Sequence, residues 1–427
     1  MRSRYIYEMN LNLTGAAPVS MNSELTNPKA HPKAHDLSAR PRLNRNRRLG
    51  QLSLATKPIV CLLCAMAFLC FPAAMHAQQR WSETQAKEWY AKQPWLVGAD
   101  YLPSNASNQL EMWQASTFDA ATNDRELGRA ESIGMNTVRV FLHDLLWEQD
   151  PQGFVKRIDA FLGIAAKHHI RPIFVLFDSC GDAYPKLGPQ DPPIAGVHNS
   201  RWLQSPGTTG LTDPARTPRL AAYVKGVVGA FTTDERILAW DLWNEPDNVS
   251  DDSVRKGDPK NKDELILALL PQVYQWARGE KPMQPLTSGV WRGDGSKPLT
   301  LSSVAQVQVE ESDILSFHNY SWPENFEARV KDFERFHRPL LCTEYMARPL
   351  GSTFDTILPI AKKYNVGMIN WGLVAGRTQT YYPWESTEHP YVHSDPPIWF
   401  HDIFYPDGKP YRQREVDIIR SLTGRGD

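Results

Sequence analysis

The chain has 427 residues, with 47 Lys plus Arg against 48 Asp plus Glu, and 41% of its residues are hydrophobic. This near-neutral balance excludes a chain built throughout for nucleic-acid binding, and the length allows one large domain or two or three average ones. The charge is unevenly placed: residues 1–77 carry ten Lys/Arg and three Asp/Glu, a net of +7, which leaves −8 on the remaining 350 residues.

Taken in chain order, residues 1–77 form a leader. Arg40, Arg42, Arg45, Arg47, Arg48 and Lys57 precede an unbroken apolar run of 13 residues, 59–71, followed by Pro72 and the small residues Ala73, Ala74 and Ala77. A basic flank, a short apolar core and a small-residue exit are the parts of a secretion signal, with cleavage after Ala77. A membrane span needs about 20 apolar residues. A secreted or periplasmic location is therefore expected, with anchoring by an uncleaved signal as the alternative. Residues 78–94 are read as a short, exposed helical lead-in.

From Trp95 onward, β-branched apolar runs alternate with amphipathic stretches. The predicted strands are 95–101, 137–142, 171–177, 236–243, 286–290, 313–318, 339–344 and 366–372. Between them the periodicity predicts helices at 123–133, 154–169, 216–232, 262–279, 299–309, 325–336 and 354–364, with 412–422 closing the chain. Near-continuous apolar strands alternating with helices imply parallel pairing, buried on both faces. Eight such units predict an α/β fold, a (β/α)8 TIM barrel, as a single domain over 95–427. An open doubly wound sheet is the rival, but the first strand lacks a Gly-x-Gly-x-x-Gly turn and no phosphate loop follows.

Two stretches without period, 178–214 after the third strand and 373–411 after the eighth, hold the excess length. They contain Trp202, Tyr381, Tyr382, Trp384, Tyr391 and Trp399, too aromatic a content for disorder. In a barrel both belong at the C-terminal face, where barrel enzymes keep their chemistry. There they could wall off one end of a cleft and favour short substrates. Three of the five cysteines (Cys61, Cys64, Cys70) lie in the apolar run. Cys180 and Cys342 fall on opposite sides of the expected barrel, beyond the roughly 4.4–6.8 Å Cα spacing of a disulfide, so both are expected as thiols.

The chemistry-bearing residues sit at strand ends. Glu245 follows Trp243-Asn244 and precedes Pro246, which stops the fourth strand. Glu344 ends the seventh. A carboxylate at the tip of an apolar strand must reach solvent or a partner. Two carboxylates flanking one bond is the glycosidase arrangement. The plain alternative is a pair of solvated turn carboxylates.

Asn244-Glu245-Pro246 at strand four and Glu344 followed by Tyr345 at strand seven resemble clan A of the retaining glycoside hydrolases, most of all glycoside hydrolase family 5. His318-Asn319-Tyr320 at strand six resembles that family's His-x-Tyr, Arg139 its strand-two arginine and Trp371 its sugar-stacking tryptophan. One departure stands at strand three, where Phe177-Asp178-Ser179-Cys180 replaces a common histidine. The resemblance spans about residues 95–372. It implies that Glu344 is the nucleophile and Glu245 the general acid/base. It also implies that Asn244 holds the sugar 2-hydroxyl, that Arg139 keeps Glu344 ionised, and that His318 and Tyr320 support the pair.

Asp100 and Asp178, ending strands one and three, are candidates to line the pocket. The tryptophans, Trp291 among them, offer faces for sugar stacking. No His-Glu-x-x-His, cysteine pair or carboxylate cluster has metal-ligand spacing, so no metal and no cofactor is expected. The expected partner is a β-linked poly- or oligosaccharide of mannan, glucan or xylan type, with no nucleic acid and no stable membrane partner. Exo-action on short oligosaccharides and a catalytically silent carbohydrate-binding barrel are the alternatives.

Overall fold

The computed structural model describes residues 79–425 except 251 and 253; the expected leader and its apolar run lie outside the described residues. Eight parallel strands form one sheet in the order β5-β4-β3-β2-β1-β8-β7-β6. They are β1 Val97–Asp100, β2 Thr137–Phe141, β3 Arg171–Asp178, β4 Ala239–Asn244, β5 Leu286–Thr287, β6 Leu315–His318, β7 Leu340–Glu344 and β8 Gly367–Trp371. The seam between β5 and β6 is closed by a bridge, where Val290 N donates to Ser316 O and His318 N to Val290 O, both at 3.0 Å. The sheet is a (β/α)8 barrel, and each predicted strand contains one observed strand.

β5 is shorter than expected. The Gln308 side chain, from helix Ser303–Glu311, donates to Ser288 Oγ at 3.1 Å and to Gly289 O at 2.6 Å, so a side chain satisfies groups that a longer strand would pair. The eight expected helices are present, and short helices at Gln109–Trp113, Asp144–Gln149 and Thr208–Thr212 lie in segments read as loops. Local sequence accounts for the long ones. Helix Pro151–Lys167 starts with Asp150 accepting from Gly153 N at 2.9 Å and Pro151 in its first turn. Its buried residues Phe154, Ile158, Phe161, Leu162 and Ala165 fall on one face at helical spacing.

The pleat grades the barrel interior from bottom to top. Ile173, Leu341 and Ile369 point inward at the floor, in one apolar cluster with Trp81, Ala86 and Tyr90. Arg139 and Asp241, both buried, occupy the middle. Phe141, Val175 and Trp371 meet Trp202 at the top. The floor corrects one expectation: the lead-in is helical over Glu83–Ala91, but it buries Ala86 and Tyr90 against the barrel bottom. Among the described residues no helix is long and apolar enough to cross a membrane.

One carboxylate ties that plug to the sheet. Asp313 Oδ1 accepts from Trp81 N at 2.8 Å and Arg278 Nη2 at 3.0 Å, while Oδ2 accepts from Leu286 N at 2.9 Å. Asp313→Ala would strand the buried Arg278 guanidinium, so a loss of about 3–5 kcal/mol is expected. Urea midpoints at unchanged m-value measure it; a shift below about 1 kcal/mol would show that Arg278 is served by water instead.

Candidate active site

Strict alternation along a strand would send several of the candidate residues outward to the helices. Three irregularities bring them in. On β3 the consecutive residues Leu176 and Phe177 both pack in the outer core, Phe177 against Tyr223 of helix Thr217–Ala230. On β4 Leu242 and Trp243 do the same. Asp178 and Asn244 therefore turn inward. Between β6 and β7 the register shifts at Phe317/His318, so that His318 pairs with Glu344. A bulge of this kind re-aims the side chain that follows it. Glu344, which shares its parity with the outward-facing Leu340 and Cys342, instead meets Arg139 and Tyr320.

Arg139 is the hub. Its Nη1 contacts Asp100 Oδ1 at 2.8 Å and Glu344 Oε1 at 3.3 Å, its Nε donates to Asp241 Oδ2 at 2.9 Å, and its Nη2 donates to Asn244 Oδ1 at 2.7 Å. Asn244 passes the network on, donating through Nδ2 to Asp178 Oδ1 at 2.9 Å. Asp178 Oδ2 accepts from Trp202 Nε1 at 2.6 Å. Asp178 thus braces Asn244 and Trp202 from below.

Glu344 Oε2 accepts from Tyr320 Oη at 2.8 Å and lies 3.5 Å from His318 Nδ1. The same Nδ1 is 2.9 Å from Glu245 Oε1. Glu245 Oε2 accepts from Cys180 Sγ at 3.2 Å and from Asn248 Nδ2. The Glu245 backbone sits at φ 42°, in the left-handed region that disfavours a side chain, held by Asn248 N donating to Glu245 O at 2.8 Å. Cys180 and Asn248 were not anticipated as contacts of Glu245. Only the departure at strand three had drawn attention to Cys180, and nothing in local sequence singles out Asn248. Cys180 and Cys342 are both thiols.

Glu245, His318 and Glu344 each present a ligand atom within 4.8 Å of the others. This spacing would admit a metal ion. The search for local metal-ligand spacing could not show it, because the three residues come from three strands; the same spacing serves proton transfer. Trp371, nearly buried, stands edge-on to Phe141 at 5.8 Å and to Trp202 at 5.5 Å. Trp291 is half-buried on the loop after β5 and donates to Asp247 Oδ1 at 2.6 Å, a position set by β4 rather than by the glutamate pair.

Five carboxyl groups, on Asp100, Asp178, Asp241, Glu245 and Glu344, are buried around one guanidinium. Complete ionisation would leave four uncompensated negative charges out of water, so protons are retained. Burial pushes Glu344 up to about 7, reinforced by Glu245 and Asp100 and opposed by His318 and Arg139. Burial also raises Asp178 to about 6 and carries Asp100 well above the carboxylate range. Although burial alone would lower Arg139, Asp241, Asp100 and Glu344 hold it above its usual value. The expectation that Arg139 keeps Glu344 ionised is therefore corrected: the guanidinium is shared, and its contacts to Asp100 and Asp241 are shorter than its contact to Glu344.

No family model and no curated protein matches the chain. Solved structures do. An exo-beta-1,4-mannosidase from Opitutaceae bacterium strain TAV5 aligns over 77% of this chain and 60% of its own, at 20% identity and TM-score 0.50, so this chain spans about 60% of that protein's length. GH5_18 from Streptomyces cattleya, in complex with GlcNAc, aligns over 78% of this chain and 80% of its own, at 14% identity and TM-score 0.53. GH5_18 from Bifidobacterium longum subsp. longum, in complex with Manβ1-4GlcNAc, aligns over 77% and 78%, at 15% identity and TM-score 0.50. These likenesses are likenesses of fold.

The raised Glu344 sets a pH dependence of stability. Between the ordinary value of 4.5 and about 7 the unfolded chain has lost this proton while the folded chain keeps it. The stabilisation is therefore complete below the ordinary value and is lost as pH rises through that window. Glu344→Gln cannot lose the proton, so its stability relative to wild type is expected to rise by roughly 1–3 kcal/mol between acidic and mildly alkaline pH. Thermal unfolding of both proteins across the window tests this; a constant difference would place Glu344 at an ordinary value.

Proposed function

We propose that the chain is a retaining glycoside hydrolase acting on β-linked glycans of mannan, glucan or xylan type, with Glu344 as nucleophile and Glu245 as general acid/base. The observation that carries this reading is the spacing of the pair, with an oxygen of each carboxyl within 4.8 Å of the other. Retaining enzymes hold their carboxyls about 5–5.5 Å apart, whereas inverting ones leave roughly 6.5–9.5 Å for a water.

In the first step Glu344 attacks the anomeric carbon while Glu245 protonates the departing glycosidic oxygen. In the second, Glu245 takes a proton from water, which attacks the glycosyl ester and releases the sugar with its configuration retained. One of the two carboxyls must carry a proton at the start and the other must not. The crowded negative charge favours this state, because a single proton in the Glu245–His318–Glu344 contacts relieves it. Tyr320 orients Glu344 through one oxygen, and as a buried phenol beside a carboxylate it remains protonated and donating. Asn244, held by Arg139 and Asp178, stands beside the nucleophile to meet the 2-hydroxyl. The fold likeness to mannose-linked glycosidases agrees with the substrate class, and the basic-then-apolar leader supports export.

Full-chain protein assayed on a panel of β-glycosides tests the assignment. Glu344→Gln is expected to lower kcat by about a thousandfold or more on every substrate. Glu245→Gln should cost about 10²–10⁴-fold where the leaving group needs a proton, and much less on aryl glycosides with acidic phenols. NMR of the first product should show the substrate's own anomer. Inverted product would replace the mechanism, and binding without hydrolysis would identify a silent carbohydrate-binding barrel.

A further inference from the structure

We propose that the pocket beside Glu344 is a closed receptacle for the single terminal sugar at the non-reducing end of a β-linked oligosaccharide, with Asp402 receiving the hydroxyls farthest from the cleaved bond. The proposal rests on the glycosidase reading above and goes further, to exo-action and to a residue on the β8 loop.

The pocket has a volume of about 310 Å³, at the small end of the roughly 300–1,000 Å³ range of ligand sites. It shares Asp100 and Trp371 with the glutamate cluster. Trp371, Trp202 and Phe141 form its apolar wall, while Thr380 and Asp402 lie among its polar lining. Asp402 is 1% exposed. Its Oδ2 accepts from Thr380 Oγ1 at 2.7 Å, but its Oδ1, like Asp100 Oδ2, has no protein partner. Buried acceptors without donors are costly. Two of them at one aromatic-walled pocket call for a ligand rich in hydroxyl donors and free of negative charge, which describes a neutral sugar.

Asp402 is held in place. Its backbone adopts φ 60°, and buried Arg348 pins the carbonyls around it, donating to His401 O at 2.6 Å and Asp402 O at 2.7 Å while paired with Glu415 at 2.6 Å. Gly372, directly after Trp371, supplies the room: a Cβ there would stand 2.5 Å from Asp402 Oδ1. Such pre-arranged polar groups give specificity because they do not reorganise on binding.

The loops close the pocket on this side. Asn199 N donates to Thr378 O at 2.8 Å, Gln379 Nε2 to Ile194 O at 2.7 Å, His198 N to Ser386 Oγ at 2.8 Å and Tyr391 N to Gly196 O at 2.9 Å. The loop after β1 joins the same wall through Gly188 N to Gln114 Oε1 at 2.7 Å and the Arg377–Glu111 pair at 3.1 Å. On the opposite side, after β6, Trp322 is 54% exposed and free to meet the part of the substrate that leaves. A chain can enter this site only by its end.

The test uses the full chain and β-linked oligosaccharides labelled at the reducing end. The expected result is release of monosaccharide from the start, with labelled products shortening one unit at a time. Asp402→Asn, which keeps the size and tolerates the backbone conformation, should lower kcat/KM by about 10- to 100-fold, chiefly through KM. A substrate lacking the hydroxyl that meets Asp402 should cost the wild type a similar factor and the variant little more. Should Asp402→Asn fold poorly by circular dichroism, Thr380→Val leaves the Asp402 backbone untouched and is expected to raise KM in the same way by a smaller factor. Early release of internal di- and trisaccharides, or unchanged kinetics in the folded variants, would overturn the pocket assignment and leave the glycosidase reading standing. A wild type that cleaves no β-glycoside would overturn both.

Discussion

One buried guanidinium holds the mouth of this barrel together. Arg139 reaches β1 through Asp100, β4 through Asp241 and Asn244, and β7 through Glu344, and each contact is made away from water. A cation in that position cannot be left unpaired, and the carboxylates around it cannot all ionise against a single positive charge. Strand ends from different parts of the chain are thus tied to one another by electrostatics as much as by the sheet. The shortage of positive charge is also what leaves protons in the site.

The elements around the mouth divide the work. The β3 and β8 loops, with the segment after β1, are hydrogen-bonded into one wall on one side. The side after β6 carries an exposed tryptophan and less cover. Strain is placed where side-chain direction matters most: Glu245 and Asp402, the first beside the glutamate pair and the second at the pocket's far end, both adopt left-handed backbone. Such conformations persist only where surrounding contacts over-determine them. Asn248 does this for Glu245, and Arg348 for Asp402.

Periodicity made the fold legible because strands buried on both faces and one-sided helices leave different patterns, and eight alternations leave few architectures to consider. It was weaker where a side chain replaced backbone pairing, as Gln308 does beside β5. It was weaker again in the lead-in, whose polar face reads as exposure although Trp81, Ala86 and Tyr90 plug the barrel floor. In the site, Glu245 and Glu344 stood out because carboxylates at apolar strand tips need a purpose. Cys180, Asn248, Asp241 and Asp402 did not, because nothing in their local sequence tells which distant group they face.

The sequence by itself determined the alternation of strands and helices, the strand ends at which Asn244, Glu245 and Glu344 stand, and the aromatic content of the two long loops, because burial pattern and chain-stopping residues are local properties. Only the tertiary structure decided which way those side chains point. Paired outward residues on β3 and β4 and a register shift between β6 and β7 turn Asp178, Asn244 and Glu344 into the mouth against the parity of their strands. The division of Arg139 among three carboxylates and the closure of the pocket over Asp402 likewise depend on contacts between segments far apart in the chain, where proximity is set by packing and not by spacing.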